Sequence, residues 1–594
     1  MRQENLGLGP FLEALEQRLN ALSADRLRTI LLDHASRLPA IERVGLLTLF
    51  DQPSGSGTTS ATGRSDEPGD ATLLADVEAF IADIATGVYV DGWGYDPDYR
   101  DHRAFGDETW TYSLDRLVER AGQAMLAGDA ATAREAYRQL FAAMEDEYDE
   151  GGFPGAGTPE ELVDTDLGEA KHRYLRAVWD SEPVATRAAA LLAAVEDTAY
   201  LGGSPSLAAL EATRREPLAD LDPVLPDLIA RLAAVPAGFG YGTQARRLLA
   251  EATERRGGVD GLADLARSPG DHQADAYRDL IDALVRGGRL DQALQATAEA
   301  LDRLDVEGRV VASIAQRRAL LGAAREDDAV VLTARQAAWR ADPTLGALLH
   351  LVDTATALGC RDATLAEEAG HAAAGLLAGR PGLAAGLLLL AGRTDDAVRL
   401  ATPTDEGPWD RGHGPSAVVV AFLLVGASDA IDHDSWRDSL LLELLDRSAN
   451  GIGWHRDRLR PDDGLDTLQA RLADGTMRTA MDRYKAIPPD DLLLSTLLTD
   501  GLAQRQPTAD ERRRWLAFAR DRIDTRCEAV IGGQHRAAYA SVAHLAAACA
   551  ESVHLAAGPS EARRYLDDLQ ARYPRHSLFR RELRAVAALS PLLG

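Results

Sequence analysis

The amino-acid sequence predicts an all-α fold, an α-solenoid built from stacked helical hairpins. Three observations predict it. Ala, Leu and Val supply most of the 46% apolar content and aromatics only 5%; Ala and Leu favour helix because they lose little or no side-chain entropy there. Apolar residues recur at the i, i+3, i+4, i+7 spacing of a helix face. Glycine-centred turns repeat between these stripes, and no long alternating run rich in Val, Ile and Thr marks a strand.

The elements follow in chain order. Residues 1–50 read as helices: Ser23 is a good N-cap, Leu27, Ile30, Leu31 and His34 share a face, and Pro39 sits where a following helix can begin. Residues 51–72 are rich in Gly, Ser, Thr and Pro, bury nothing, and form a linker. A first repeat region, 73–200, carries an aromatic and acidic loop at 88–110. After it Ser113 is placed to cap a helix with Leu114, Leu117, Val118, Ala121 and Met125 on one face. Gly128-Asp129 turns the chain into a partner helix with Ala133, Tyr137, Leu140, Phe141 and Met144. Central repeats fill 201–450. There Tyr277, Leu280, Ile281 and Leu284 line one helix, Gly287-Gly288 turns, and Leu290, Ala293, Leu294, Ala298 and Leu301 line the next. C-terminal repeats occupy 451–594. Loops are expected at 151–159, 202–205, 234–243, 402–415 and 451–465, where Pro and Gly cluster.

One turn recurs. LAGDAATA, RGGRLDQA and LAGRTDDA set a glycine five residues before an alanine, at Gly128 and Ala133, Gly288 and Ala293, and Gly392 and Ala397. AAREDDA repeats it without the glycine, and the stretch from Ala556 to Pro574 is one residue shorter. Glycine tolerates the left-handed backbone that ends a helix, and a small residue one turn later lets two axes approach. The pattern resembles tetratricopeptide repeats. The period of about 34 residues is not kept, so degenerate hairpins are expected.

Two longer stretches carry a second resemblance. LEALEQRLNALSADRLRTILLDHASRLPAIERVGLL near the start, and RIDTRCEAVIGGQHRAAYASVAHLAAACAE with RYPRHSLFRREL near the end, resemble helical segments of bacterial SWIM-type zinc-finger proteins. The segment from Leu114 to Asp149 fits the same pattern. The resemblance implies a helical-repeat body. The finger is absent: tetrahedral zinc needs four close N/S ligands, and Cys360, Cys527 and Cys549 lie far apart. The nucleic-acid role the finger implies does not carry over.

Charge narrows the partners. The formal net charge is −29, a balance that repels phosphate backbones and steers basic partners. Residues 501–594 run the other way, with 15 Arg against 10 Asp plus Glu. Lys171 and Lys485 are the chain's only lysines, an imbalance that reads as codon bias. Without paired cysteines or a signal-peptide core, a reducing cytoplasm is expected. The longest apolar run, Ala417 to Val425, is too short to span a bilayer.

Candidate chemistry centres on two stretches. In the 91–108 loop, Asp96, Asp98, Asp101, His102, Asp107 and Glu108 offer hard-cation ligands, but Arg100 and Asp101 break the EF-hand spacing. The loop is better read as an interaction surface carried by Trp93, Tyr95, Tyr99, His102 and Trp110, its aromatics packing on the helices and its acids facing water. In GGQHRAAYA, Gln534, His535, Arg536 and Tyr539 follow a glycine pair, and with Arg580 and Arg581 they offer a basic surface for an anion or nucleic acid. The acidic runs Glu145–Glu150 and Val163–Glu169 read as solvated charge. No phosphate-binding G-x-x-x-x-G-K-[ST] loop, G-x-S-x-G elbow or H-E-x-x-H pair occurs, and no cofactor is expected. The expected function is a non-catalytic protein-binding scaffold whose partner is a protein with a basic or amphipathic segment. The alternatives are a nucleic-acid accessory factor using the basic C-terminal helices, and a metal-dependent enzyme using the loop carboxylates.

Overall fold

The computed structural model describes residues 71–594, except 97–100, 107, 151–152, 155–157, 239, 306–307, 376, 378, 403–413, 429–438, 453–464, 466–491 and 594. The expected helices of 1–50 and the linker from 51 to 70 lie outside the described residues; Ala71 and Thr72, placed in the linker, begin a helix. The chain forms two compact units, 1–276 and 277–594. The division falls within one helix. One continuous apolar core runs from Leu73 to Ala252 and another from Trp339 to Leu583.

The first unit runs α1 (Ala71–Ala85), β1 (Val90–Asp96), β2 (Asp101–Gly106), α2 (Trp110–Leu126), α3 (Ala130–Glu150), α4 (Pro159–Leu162), α5 (Leu167–Ser181), α6 (Val184–Asp197), α7 (Leu207–Ala212), α8 (Leu221–Ala233) and α9 (Tyr241–Arg267). The break in α9 is at Gly258, whose φ of 60° and ψ of −151° leave the helical region. Then α10 (Gln273–Arg286) crosses the division.

The second unit continues through α11 (Leu290–Arg303), α12 (Arg309–Ala324), α13 (Asp328–Ala341), α14 (Leu345–Ala357), α15 (Arg361–Ala373), α16 (Pro381–Leu390), α17 (Thr394–Leu400), α18 (Pro415–Gly426), α19 (Leu440–Asn450), α20 (Leu494–Arg505), α21 (Ala509–Cys527), α22 (Tyr539–Ala557), α23 (Pro559–Arg572) and α24 (Ser577–Ala587).

The fold is all-α, and in each unit helices pack chiefly on their chain neighbours, as in a solenoid of hairpins. In the first unit α2 packs on α3, α3 on α5, and α8 on both α6 and α9. In the second, α11 through α16 pack each on the next. The recurring turn works as its composition requires. Gly128, Gly288 and Gly392 have φ of 96°, 69° and 72°, and Ala133, Ala293 and Ala397 are fully buried one turn later. Gly558, at φ 92°, and buried Ala562 make the shortened version. LGCRDAT, which the alanine pattern misses, is a further copy, with Gly359 at φ 70° and Thr364 buried. At AAREDDA the close approach moves. Ala329 is exposed and Glu326 adopts φ 55°; Gly322 lets the axes meet, since a Cβ there would lie 2.8 Å from Val330 Cγ1.

Two helices differ from expectation. α2 begins at Trp110, three residues before the expected cap Ser113, because Trp110 and Thr111 are themselves buried on its inner face. On α11 the buried stripe is Ala293, Ala296, Thr297 and Ala300, with Ala298 exposed. The helix turns its small residues inward, which brings its axis closer to its neighbours.

The longest apolar run is α18, buried along all of Pro415–Gly426 and packed by α16, α17, α19, α20, α21 and α22. A helix apolar all round has no solvent face, so it takes the middle of a core. No described helix is long and apolar enough to cross a membrane.

Candidate functional site

The 88–110 loop contains a strand pair, which the expectation of negligible strand content misses. β1 and β2 are antiparallel, with Gly92 opposite Phe105, Trp93 opposite Ala104, Gly94 opposite Arg103, Tyr95 opposite His102, and a register irregularity between Val90 and Gly92. The alternation of Trp93 and Tyr95 with Gly92 and Gly94 is a period-2 signal, muted because glycine fills the other face. Gly106 is required at the ribbon's base: a Cβ there would collide with the Tyr89 carbonyl. A two-stranded ribbon is marginal alone. This one is tied at its base by half-buried Tyr89, which packs on the first unit's core.

Trp110 belongs to that core and not to an interaction surface. It is fully buried, its indole N–H donates to the Pro154 carbonyl at 2.9 Å, and its ring meets Phe153 edge-on at 4.7 Å. The physical reason is size: an indole buries a large apolar area once its N–H has an acceptor. Trp93, Tyr95 and His102 lie on the ribbon strands, and Tyr99 lies outside the described residues. Among the described side chains, the large apolar groups that face solvent here are Val88 (63% exposed) and Phe105 (39%), with Tyr112 (71%) in the first turn of α2. Asp91 and Glu108 are exposed in the same stretch. Among the described residues no group of three or more His, Cys, Asp or Glu is arranged to hold a metal.

The GGQHRAAYA stretch is a tight joint between α21 and α22. Glu528–Gly532 forms a π-type turn and Arg536–Ala538 a 3-10 turn, with Gln534 at φ 58°. Its amides are already used. Gly533 N–H donates to Ala529 O, Gln534 N–H to Ile531 O, His535 N–H to Val530 O and Arg536 N–H to Gln534 O. These four amides offer no cradle to an anion, and the exposed polar side chains of the stretch are those of Gln534, His535 and Arg536. Tyr539 is not part of that surface: it is buried, with its hydroxyl 3.2 Å from His576 Nδ1 and its ring edge-on to Phe579. Arg580 is half-buried, and Arg581 is exposed beside Glu582 at 3.1 Å. The joint and the arginine pair are on different elements.

The acidic stretch Val163–Glu169 does local work. Asp166 caps α5 by accepting from Glu169 N–H at 2.9 Å, and the Thr165 N–H donates to Asp115 at 2.9 Å. For Glu145–Glu150 the backbone is helical, within α3. Cys527 and Cys549 are buried, and burial pushes both thiols up to about 12, so they are structural groups.

Sequence reasoning missed the buried cations. Lys171 is fully buried and donates to Thr198 O at 2.7 Å, Gln244 Oε1 at 2.9 Å and Leu201 O at 3.3 Å, tying α5 to the end of α6 and to α9. Burial lowers its ammonium to about 8, with Glu160 opposing.

Arginines do the same elsewhere. Arg176 pairs with Asp180 at 2.9 Å and donates to the Glu216 and Pro217 carbonyls. Arg187 lies over the Trp179 ring and donates to the Ala219 carbonyl at 2.9 Å. Together they sew the loop before α8 onto α5 and α6. In the second unit Arg317 grips Asp282 at 2.8 Å, and Arg340 grips the fully buried Glu368 at 2.6 Å. The signal was the near-replacement of lysine by arginine. A guanidinium fork serves several carbonyl or carboxylate oxygens at once, so part of that bias is structural.

Glu551 is the reverse case. A fully buried carboxylate, it accepts from Leu441 N–H at 2.9 Å and from the Ser590 hydroxyl at 2.6 Å. Burial raises its pKa against those donors.

No family model matches this chain, and no curated protein matches it. Among solved structures, one described as a "circular tandem repeat protein with novel repeat topology and enhanced subunit contact surfaces" is similar at 13% identity and a TM-score of 0.15, over 88% of this chain and 95% of that one.

Proposed function

We propose that this chain is a non-catalytic protein-binding scaffold, and that its first unit takes a basic or amphipathic segment of another protein at the β1–β2 ribbon. One observation carries the reading. Between α1 and α2 the chain inserts a ribbon where the next pair, α2 and α3, is joined by a three-residue turn; Val88 and Phe105 stand exposed in that stretch with Asp91 and Glu108, and Tyr112 stands exposed in the first turn of α2. In repeat proteins such insertions often fall on the binding face. Exposed apolar side chains with carboxylates in the same stretch suit a partner that offers both an apolar stripe and positive charge.

In the same reading the chain works in a reducing cytoplasm, as a counterpart of the helical body of SWIM-type zinc-finger proteins. The test is fluorescence anisotropy of the full chain with labelled Leu/Lys amphipathic peptides against Leu/Glu versions. Tyr112→Ser combined with Phe105→Ser should weaken the Lys peptides about tenfold, and Asp91→Lys should weaken them further at low salt. Equal binding by the double variant and the parent would refute the site.

A further inference from the structure

A second surface, of opposite charge preference, lies in the last helix pair and is independent of the ribbon. α23 and α24 enclose a groove of ≈ 380 Å³. Its floor is Leu566, Leu583 and Leu593, and Arg563 and Arg584 flank it, with Asp567 as an acid on the same rim. Leu589, next to it in sequence, is 74% exposed. The walls are firm, because Tyr565, Leu569 and Phe579 are buried beneath them in the second unit's core. Both arginines are exposed. Among the described residues neither has a carboxylate partner; Arg584 donates only to the Arg580 carbonyl. Their neighbours differ, Arg564 being paired with Glu561 and Arg581 with Glu582.

We infer that this groove docks an acidic amphipathic helix of a partner protein. Charge complementarity selects the sign: two guanidinium groups against the one carboxylate of Asp567 line it, in a region where arginines outnumber acids by 15 to 10. The apolar floor selects the class. A phosphate backbone gains from the arginines but gives leucines nothing to bury against, whereas an amphipathic helix covers both at once. α24 has 11 residues, about 16 Å of helix, which matches about three turns of ligand and so two or three apolar anchors on the leucines.

The experiment uses the full chain and a panel of labelled helical peptides. The members carry leucine at i, i+3, i+4 and i+7 with glutamate elsewhere; controls replace glutamate with lysine, or leucine with glutamine. The acidic amphipathic members should bind best, Arg563→Glu with Arg584→Glu should weaken them at least about tenfold, and Leu589→Ser should weaken them several-fold. All three side chains are exposed, and far-UV circular dichroism checks that the variants fold. No binding by any acidic amphipathic member, or binding untouched by the arginine reversals, overturns the proposal. Binding of a single-stranded oligonucleotide that the arginine reversals abolish and Leu589→Ser spares, with the acidic peptides not binding, overturns it in favour of nucleic acid. Self-association that the same reversals abolish, again without peptide binding, overturns it in favour of a second copy of the chain.

Discussion

Replacing Arg340 by methionine isolates the arginine clamp of the second unit. Arg340 on α13 holds Glu368 of α15 through Nη2 at 2.6 Å and Nε at 3.2 Å, and it also reaches exposed Glu367 at 2.6 Å. The Glu368 side chain is fully buried, and that of Arg340 is 29% exposed. Arg340→Met therefore leaves a buried carboxylate whose remaining donor is Gln336 at 3.4 Å. Stranding a buried charge costs about 3–5 kcal/mol, and partial solvent access at the arginine end argues for the lower figure.

Glu368→Leu should cost less, about 1 kcal/mol, because Arg340 keeps Glu367 and water. The double variant should lie within about 1 kcal/mol of the parent, since an apolar pair pays no desolvation. With two compact units a single unfolding midpoint is ambiguous, so the readout is native-state hydrogen exchange on the amides of α13 and α15. Strict additivity, with the double variant costing the sum of the singles, would refute the clamp.

Three further outcomes are expected. Trp110→Phe removes the donor to the buried Pro154 carbonyl and should lower stability by about 1–3 kcal/mol, seen as faster exchange across α2; an unchanged α2 would put Trp110 outside the core. Gly426→Ala places a Cβ 2.7 Å from Trp515 Cζ3 and 3.0 Å from Leu502 Cδ2. The helix gains about 1 kcal/mol from alanine and loses about 1–3 to overpacking, so hydrogen exchange of the α18 amides should be faster, and slower exchange would contradict the packing around α18. Glu551 has its pKa raised above 4.5 by burial, so its contribution is fully present below that value and is lost as pH rises through the folded value. The stability that hydrogen exchange reads in α19 and α22 should therefore fall between pH 4.5 and neutrality by more in the parent than in Glu551→Gln, and parallel profiles, after correction for intrinsic exchange, would exclude Glu551 as the titrating group.

Helical class, hairpin grammar and turn positions were legible because they are local. Gly128, Gly288 and Gly392 mark their turns through backbone freedom, and the buried alanine five residues on follows from helix geometry alone. The same logic failed where tertiary contact competes. Ser113 has the chemistry of a cap, but Trp110 draws α2 three residues further back by burying itself. The ribbon was hidden because Gly92 and Gly94 occupy two alternate positions in the middle of β1. GGQHRAAYA carries the residues of an anion cradle, yet its amides serve the joint between α21 and α22. Tyr539, singled out as a contact residue, is a core residue because His576 and Phe579, 37 and 40 positions later, close over it.

By itself, then, the sequence determined what depends on neighbours in the chain: helix periodicity, the left-handed turns, and the opposed charge of body and C-terminal end. Only the tertiary structure decided the fate of each charge. An arginine has the same local signature whether it faces water or threads beneath a loop to reach two carbonyls. The difference is the acceptor that arrives from residues about 30 to 70 positions away, as it does for Lys171 at Gln244 and Arg317 at Asp282, and burial then makes that bond costly to lose.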